Sequence, residues 1–167
     1  KTVKVLLALT TAAGMLAGCG SKTDTDTFRF ASELDIQGMD STVVDDGMSY
    51  NAIHAITDGL TAVNDKGKTV PALAKSWDVS ADGKTYTFHL KDAKWSNGDE
   101  LTAKDFEWSW RRAADPKTAA DYSYLCAVFA GYDDTKGLAA DDVVASDDGK
   151  TLTVKLKAVT PYFLDLC

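Results

Sequence analysis

The chain has 167 residues, of which 25 are acidic and 18 basic, for a net charge of −7. That balance speaks against a nucleic-acid partner, because holding a polyanion needs clustered Lys and Arg. Three cysteines and two histidines are too few, and too scattered, for a metal centre: His54 and His89 share no ligand spacing with Cys126 or Cys167, so neither metal nor cofactor is expected.

The first residues read as a targeting segment. Lys1 and Lys4 give a basic start, Val5 to Ala17 is nearly all apolar or small, and Leu16-Ala17-Gly18-Cys19 closes it in the manner of a bacterial lipobox. The run falls short of the roughly 20 apolar residues that a membrane span requires. Residues 1–18 are therefore expected to be a signal peptide, with Cys19 as the lipid-attachment residue. Gly20 to Thr27 contains no apolar side chain and reads as a flexible tether. Loss of Lys1 and Lys4 with the signal would take the charge from −7 to −9.

Thr27 to Ala31 alternates weakly and predicts a first strand. Met48, Ala52, Ile53, Ile56 and Leu60 lie near helical spacing and predict a helix over Met48–Leu60 ending at Gly59. Asn64 to Lys68 reads as a hairpin turn, Val70 to Ala74 as a turn or helical start, and Ser76 to Ser80 as a strand. Asp82-Gly83 then turns the chain into Thr85–Leu90, where Tyr86, Phe88 and Leu90 alternate with Thr85, Thr87 and His89. Asn97-Gly98 is a further turn. Thr102, with Asp105 three residues on, reads as a helix cap, and Phe106, Trp110 and Ala113 share a face of a helix over Ala103–Ala113 that Pro116 cannot continue.

Ser80-Ala81-Asp82-Gly83-Lys84-Thr85-Tyr86-Thr87-Phe88 returns as Ser146-Asp147-Asp148-Gly149-Lys150-Thr151-Leu152-Thr153-Val154. Two copies do not make a solenoid. They predict two similar edges of one antiparallel sheet, with Leu152, Val154 and Leu156 facing the same core as Tyr86, Phe88 and Leu90. Mixed strands and helices make the fold class α+β.

No nucleophile elbow, phosphate loop, dinucleotide fingerprint or zinc-protease motif occurs. His89 falls on the polar face of its strand, where a solvated or cross-strand-bonded ring is expected. Glu33 and Asp35 could pair as acid and base, yet near an exported N-terminus they read as surface groups. The Asp doublets at 45–46, 133–134, 141–142 and 147–148 read as solvated turns, since none has the spacing of a calcium loop. Trp95, Trp108 and Trp110 read as packing residues rather than a ligand platform. Cys126 and Cys167 sit in apolar runs and read as two separate core thiols, although one disulfide is arithmetically possible. With no initiator Met and an apolar final run, the chain is expected to be the N-terminal part of a longer protein.

Taken together, Asp58-Gly59-Leu60, Val70 to Trp77, Asp82 to Leu90, Lys94 to Gly98, Thr102 to Phe106, Ser109-Trp110-Arg111-Arg112, Asp115 to Ala119 and Thr160-Pro161-Tyr162-Phe163 resemble the oligopeptide-binding lipoproteins of ABC importers. These are extracellular solute-binding proteins of the peptide- and nickel-binding class. The resemblance implies a two-lobed, hinge-closing, periplasmic-binding-protein-like fold, of which residues 28–57 would start the first lobe and 58–167 form the extra domain of this class, truncated at its end. It implies a monomeric, non-enzymatic receptor, anchored by lipid to the outer face of the cell membrane, that captures oligopeptides and delivers them to an ABC transporter permease. It also implies ligand contacts from Asp45 and Gly47, in the loop after Met39-Asp40, and from Tyr122. Ser41 departs from the proline common after that Asp. The alternatives left open are an exported hydrolase with downstream catalytic residues and a related receptor for nickel, haem or sugars.

Overall fold

Asp46 starts the first helix. Its backbone is extended (φ −106°, ψ 145°), and its Oδ1 accepts the Ser49 amide at 2.8 Å, capping α1 (Gly47–His54). The structure is a computed structural model that describes residues 31–167; the signal segment, Cys19, the tether and all but Ala31 of the expected first strand lie outside the described residues. Leu34–Cys167 form one unit.

The helix is shorter than its apolar spacing predicts. Ala55 donates back to Asn51 O, and both the amide and the hydroxyl of Thr57 donate to Ile53 O, at 2.9 and 2.5 Å, so the chain leaves the helix before Asp58-Gly59. Leu60 is fully buried, but in the main core, with its amide donating to Cys167 O at 2.8 Å. The buried Ser49 is satisfied from outside the helix: its Oγ accepts the amides of Gln37 and Gly38, which fixes the preceding loop against α1.

In chain order there follow β1 (Thr61–Val63), β2 (Thr69–Pro71), β3 (Ala74–Val79), β4 (Thr85–Leu90), β5 (Ala93–Lys94), β6 (Glu100–Leu101), α2 (Ala103–Ala114), β7 (Val143–Ala145) and β8 (Thr151–Lys155). Single 3-10 turns stand at Pro116–Thr118, Ser123–Val128 and Phe163–Leu166. β1 and β2 make the hairpin expected at Asn64–Lys68, with Asn64 Oδ1 accepting the amides of Lys66 and Lys68. Of Val70–Ala74, expected as a turn or helical start, Val70 and Pro71 belong to β2 and Ala74 to β3, and the chain bends only at Ala72-Leu73. β5 and β6 close around Asn97-Gly98, whose glycine takes φ 95°.

The main sheet is antiparallel in the order β3-β4-β8-β7. The two repeated segments are therefore its adjacent central strands, not two edges, and Tyr86 pairs with Val154 and Phe88 with Leu152 on the buried face. Their turns repeat bond for bond. Ser80 Oγ donates to Asp82 Oδ1 and accepts the Thr85 amide at 2.9 Å; Ser146 Oγ donates to Asp148 Oδ1 and accepts the Thr151 amide, also at 2.9 Å. Gly83 and Gly149 take φ 71° and 69° in these turns. At Gly149 a Cβ would also come within 3.0 Å of Thr102, at the start of α2.

α2 begins as its sequence predicts, with the Thr102 amide and hydroxyl both donating to Asp105 Oδ2, at 2.7 and 3.0 Å. Its flank is a polar clamp on the sheet edge. Glu107 Oε2 accepts the Ala145 amide of β7 at 2.9 Å, and Arg111, paired with Glu107, donates to the carbonyls of Ala139, Ala140 and Val143. Asp142 corrects the expectation that the Asp doublets are solvated. It is only 1% exposed, and its two oxygens accept the amides of Gly131 and Ala139 at 2.7 and 2.9 Å.

Phe163 is the hub of the aromatic core. Its ring lies 4.9 Å from that of Tyr86 and 6.3 Å from those of Phe88, Trp110 and Phe129. Each such buried side chain contributes about 2 kcal/mol by removal from water. Of the three clustered tryptophans only Trp110 packs here: Trp95 follows β5 in an open turn, and Trp108, 66% exposed, points away from the apolar stripe and carries Arg112 at 5.9 Å from its ring centre.

Candidate functional site

The expected contact residues come from two distant stretches of chain; Tyr122 lines a cleft together with Tyr50, whereas Asp45 and Gly47 are not among its lining residues. Asp45 and Gly47 flank the Asp46 cap, and Tyr50 stands one turn further along α1. Tyr122 arrives by a different route. Asp115 caps the turn at Pro116–Thr118, Ala119 takes a left-handed conformation (φ 52°), and the chain swings so that Tyr122 precedes the 3-10 turn Ser123–Val128. The rings of Tyr50 and Tyr122 then meet edge to face, with centres 6.1 Å apart, and Tyr124 adds a third ring 6.0 Å from Tyr122.

This cleft has a volume of about 320 Å³. Trp110, Phe129 and Leu125 supply an apolar wall, Ser41 and Ser109 small polar points, and the two tyrosines line it as well. No lining residue is charged. The surroundings are: burial raises the pKa of the Tyr50 phenol above its usual value, and Tyr122, Asp45, Asp121 and Asp46 add to that rise. A cleft with an apolar wall, one of whose rings feels the charge of several carboxylates, can hold a chain that presents both hydrocarbon and positive charge.

Asp45 is exposed, and so is Gly47, where a Cβ would meet nothing within 4 Å. Neither packing nor backbone conformation within this unit demands a glycine there. Tyr50 escaped the sequence reading because its position is off the Met48, Ala52, Ile53, Ile56 series; its signal was the one-turn spacing from Gly47. Arg112, of the Ser109-Trp110-Arg111-Arg112 motif, fixes the Met39-Asp40 loop by donating to both oxygens of Asp40, at 2.8 and 2.6 Å.

The remaining candidates do not join the cleft as chemical groups. His89 Nε2 is bonded across strands to Asp78 Oδ2 at 2.8 Å, and His54 is exposed beside Tyr50, with ring centres 6.3 Å apart. Asp35 accepts the amide of its neighbour Ile36. Cys126 and Cys167 are both free. Burial pushes the Cys126 thiol up to about 11, and burial with the nearby Asp165 charge pushes Cys167 up to about 12. Among the described residues no group of three His, Cys, Asp or Glu side chains could hold a metal, and no helix is long and apolar enough to cross a membrane.

Comparison with known proteins gives a concordant result. Residues 68–166 match the model of bacterial extracellular solute-binding proteins, family 5, middle part. A dipeptide-binding protein of Lactococcus lactis is 45% identical over 154 residues, 89% of this chain and 28% of that protein. The substrate-binding domain of an oligopeptide ABC transporter from Bacillus anthracis superposes with a TM-score of 0.77 at 37% identity, covering 82% of this chain and 27% of that one. OppA of Listeria monocytogenes, solved bound to peptide, gives 0.72 at 39% identity, over 77% of this chain and 26% of that one. The chain thus spans little more than a quarter of the length of these relatives.

Proposed function

Since the chain belongs to the bacterial extracellular solute-binding proteins of family 5, whose relatives here are dipeptide- and oligopeptide-binding proteins of ABC transporters, we propose that the whole protein captures oligopeptides outside the cell and passes them to a permease. In this reading it is a monomeric receptor and not an enzyme. Cys19 carries the lipid that holds it to the outer face of the membrane, residues 28–57 begin the first lobe, and 58–167 are the extra domain. Asp45, Gly47 and Tyr122 contact the ligand.

The observation that supports this reading is the meeting of Tyr50, one turn beyond Gly47 on α1, with Tyr122, 72 residues away, on the lining of one cleft. Main-chain hydrogen bonds to an extended peptide would supply affinity, and open side-chain pockets would permit many sequences. Closure of the second lobe would then raise the population of the form that the permease recognises.

The test is calorimetry on the whole protein, produced without its signal and anchor cysteine, against a broad oligopeptide library. Micromolar or tighter binding is expected, with the affinity reduced in Tyr122→Ala. Absence of heat and of any thermal shift across the library would end the peptide reading and return nickel, haem or sugar ligands, or hydrolysis, to consideration. The anchor is tested separately: Cys19→Ala should move the protein from the membrane fraction to the soluble one.

A further inference from the structure

We infer that Tyr50 is a second ligand-contact residue, and that the Tyr50 and Tyr122 rings form a slot that takes one cationic side chain, lysine or arginine, of the bound peptide. This rests on the peptide-receptor reading above and adds to it a residue and a charge preference.

The rings are placed for the role. They come from separate elements, α1 and the approach to Ser123–Val128, and meet edge to face at 62° with centres 6.1 Å apart, on the lining of the same cleft. Tyr122 is 39% exposed, and among the described residues neither phenol hydroxyl is engaged in a hydrogen bond, so ring face and hydroxyl remain available to a ligand.

The charge preference follows from what surrounds the slot. Asp45 immediately precedes the cap of α1 and Asp121 immediately precedes Tyr122; both are exposed, their charges act on Tyr50, and neither enters an ion pair among the described residues. Asp46 acts on Tyr50 as well, with its Oδ1 committed to the helix cap. Arg112 is engaged by both oxygens of Asp40. Among the described residues the lining supplies no positive charge, so a cation carried by the ligand would complement these carboxylates. Lysine and arginine match both features: an alkyl stem for the wall of Trp110 and Leu125, and a charged head for the ring faces and these carboxylates. An aromatic side chain would satisfy the wall but leave the carboxylates uncompensated.

The experiment uses the whole, anchor-free protein and a set of alanine tripeptides in which each position in turn carries lysine or its uncharged isostere norleucine. Calorimetry should find one position where lysine binds roughly five- to tenfold more tightly than norleucine. That ratio should fall toward unity in Tyr50→Leu and in Asp121→Asn, persist in Tyr50→Phe, and shrink at 0.5 M salt. Asp121→Asn, an exposed and nearly isosteric change, keeps the test valid should Tyr50→Leu fold poorly. A lysine preference that survives both variants, a preference for phenylalanine over lysine, or no preference at any position would each overturn the slot while leaving peptide binding intact. Failure of the unaltered protein to bind any tripeptide or longer peptide would instead remove the peptide reading, and this inference with it.

Discussion

Asp40 and Arg112, 72 residues apart, are joined by two hydrogen bonds of 2.8 and 2.6 Å that tie the loop before α1 to the last turn of α2. The pairing is bidentate, a geometry open to arginine and not to lysine. It also closes one side of the cleft, because Ser41 and Thr42 follow Asp40 directly into the lining.

This pair predicts a specific acid response. Hydrogen bonding to Arg112 holds the Asp40 carboxyl down at about 2, below its ordinary value of 3.8. A depressed folded-state pKa means that the contribution to stability is complete above about pH 4 and is lost as pH falls through 2. Asp40→Asn should therefore lower the melting temperature at pH 7, by no more than about 3 °C because the pair is partly exposed and screened by salt. The difference should vanish near pH 2. A melting difference that persists at pH 2 would mean that Asp40 acts through something other than its charge.

Phe163 predicts a much larger effect. Four aromatic rings surround it, and it is only 1% exposed. Phe163→Ala should cost about 3–5 kcal/mol, the transfer term plus an unfilled cavity. Urea unfolding should show a lower midpoint with an unchanged slope. Phe163→Leu, which refills most of the volume, should recover more than half of the loss.

Most of the sheet was legible because its strands carry strict two-residue alternation: Tyr86, Phe88, Leu90 and Leu152, Val154, Leu156 all reach the predicted core. The capped start of α2 and both Asp-Gly turns were equally plain, since each depends on residues close in sequence. The length of α1 was not, because Ile56 and Leu60 continue the apolar spacing, yet Ile56 is exposed and Leu60 packs in the main core. Nor was the burial of Asp142, whose partners Gly131 and Ala139 are amides without a side-chain signature. In the cleft's lining the resemblance supplied Tyr122 alone, since Asp45 and Gly47 lie outside it, while Tyr50 joins it because two distant stretches meet in the fold. The exposed Trp108 misled for a related reason: apolar character alone does not say on which side of a helix the core lies.

Asp142 makes a graded prediction. Its carboxylate satisfies two amides inside the fold, so removal leaves two buried donors unmet, each costing roughly 1–3 kcal/mol. Asp142→Ala should be the more damaging change. Asp142→Asn, which keeps one acceptor oxygen, should fall about midway in a denaturant titration. Equal loss in both variants would show that charge, and not acceptor count, sets the value of this side chain.

Cys126 gives the last prediction, and it can be read without any ligand. The thiol lines the cleft yet is only 8% exposed, and burial raises its pKa to about 11. At pH 8 the reactive thiolate should therefore be scarce in the folded state and much commoner once unfolding restores an ordinary thiol. Because the folded pKa is the higher one, this thiol favours folding fully at pH values below its unfolded pKa, and that preference fades as pH rises toward 11. A thiol reagent at pH 8 should label Cys126 slowly in the native protein and rapidly in urea. Occupation of the cleft by peptide should slow native labelling further, whereas an unchanged rate at saturating peptide would place the ligand away from the Cys126 wall.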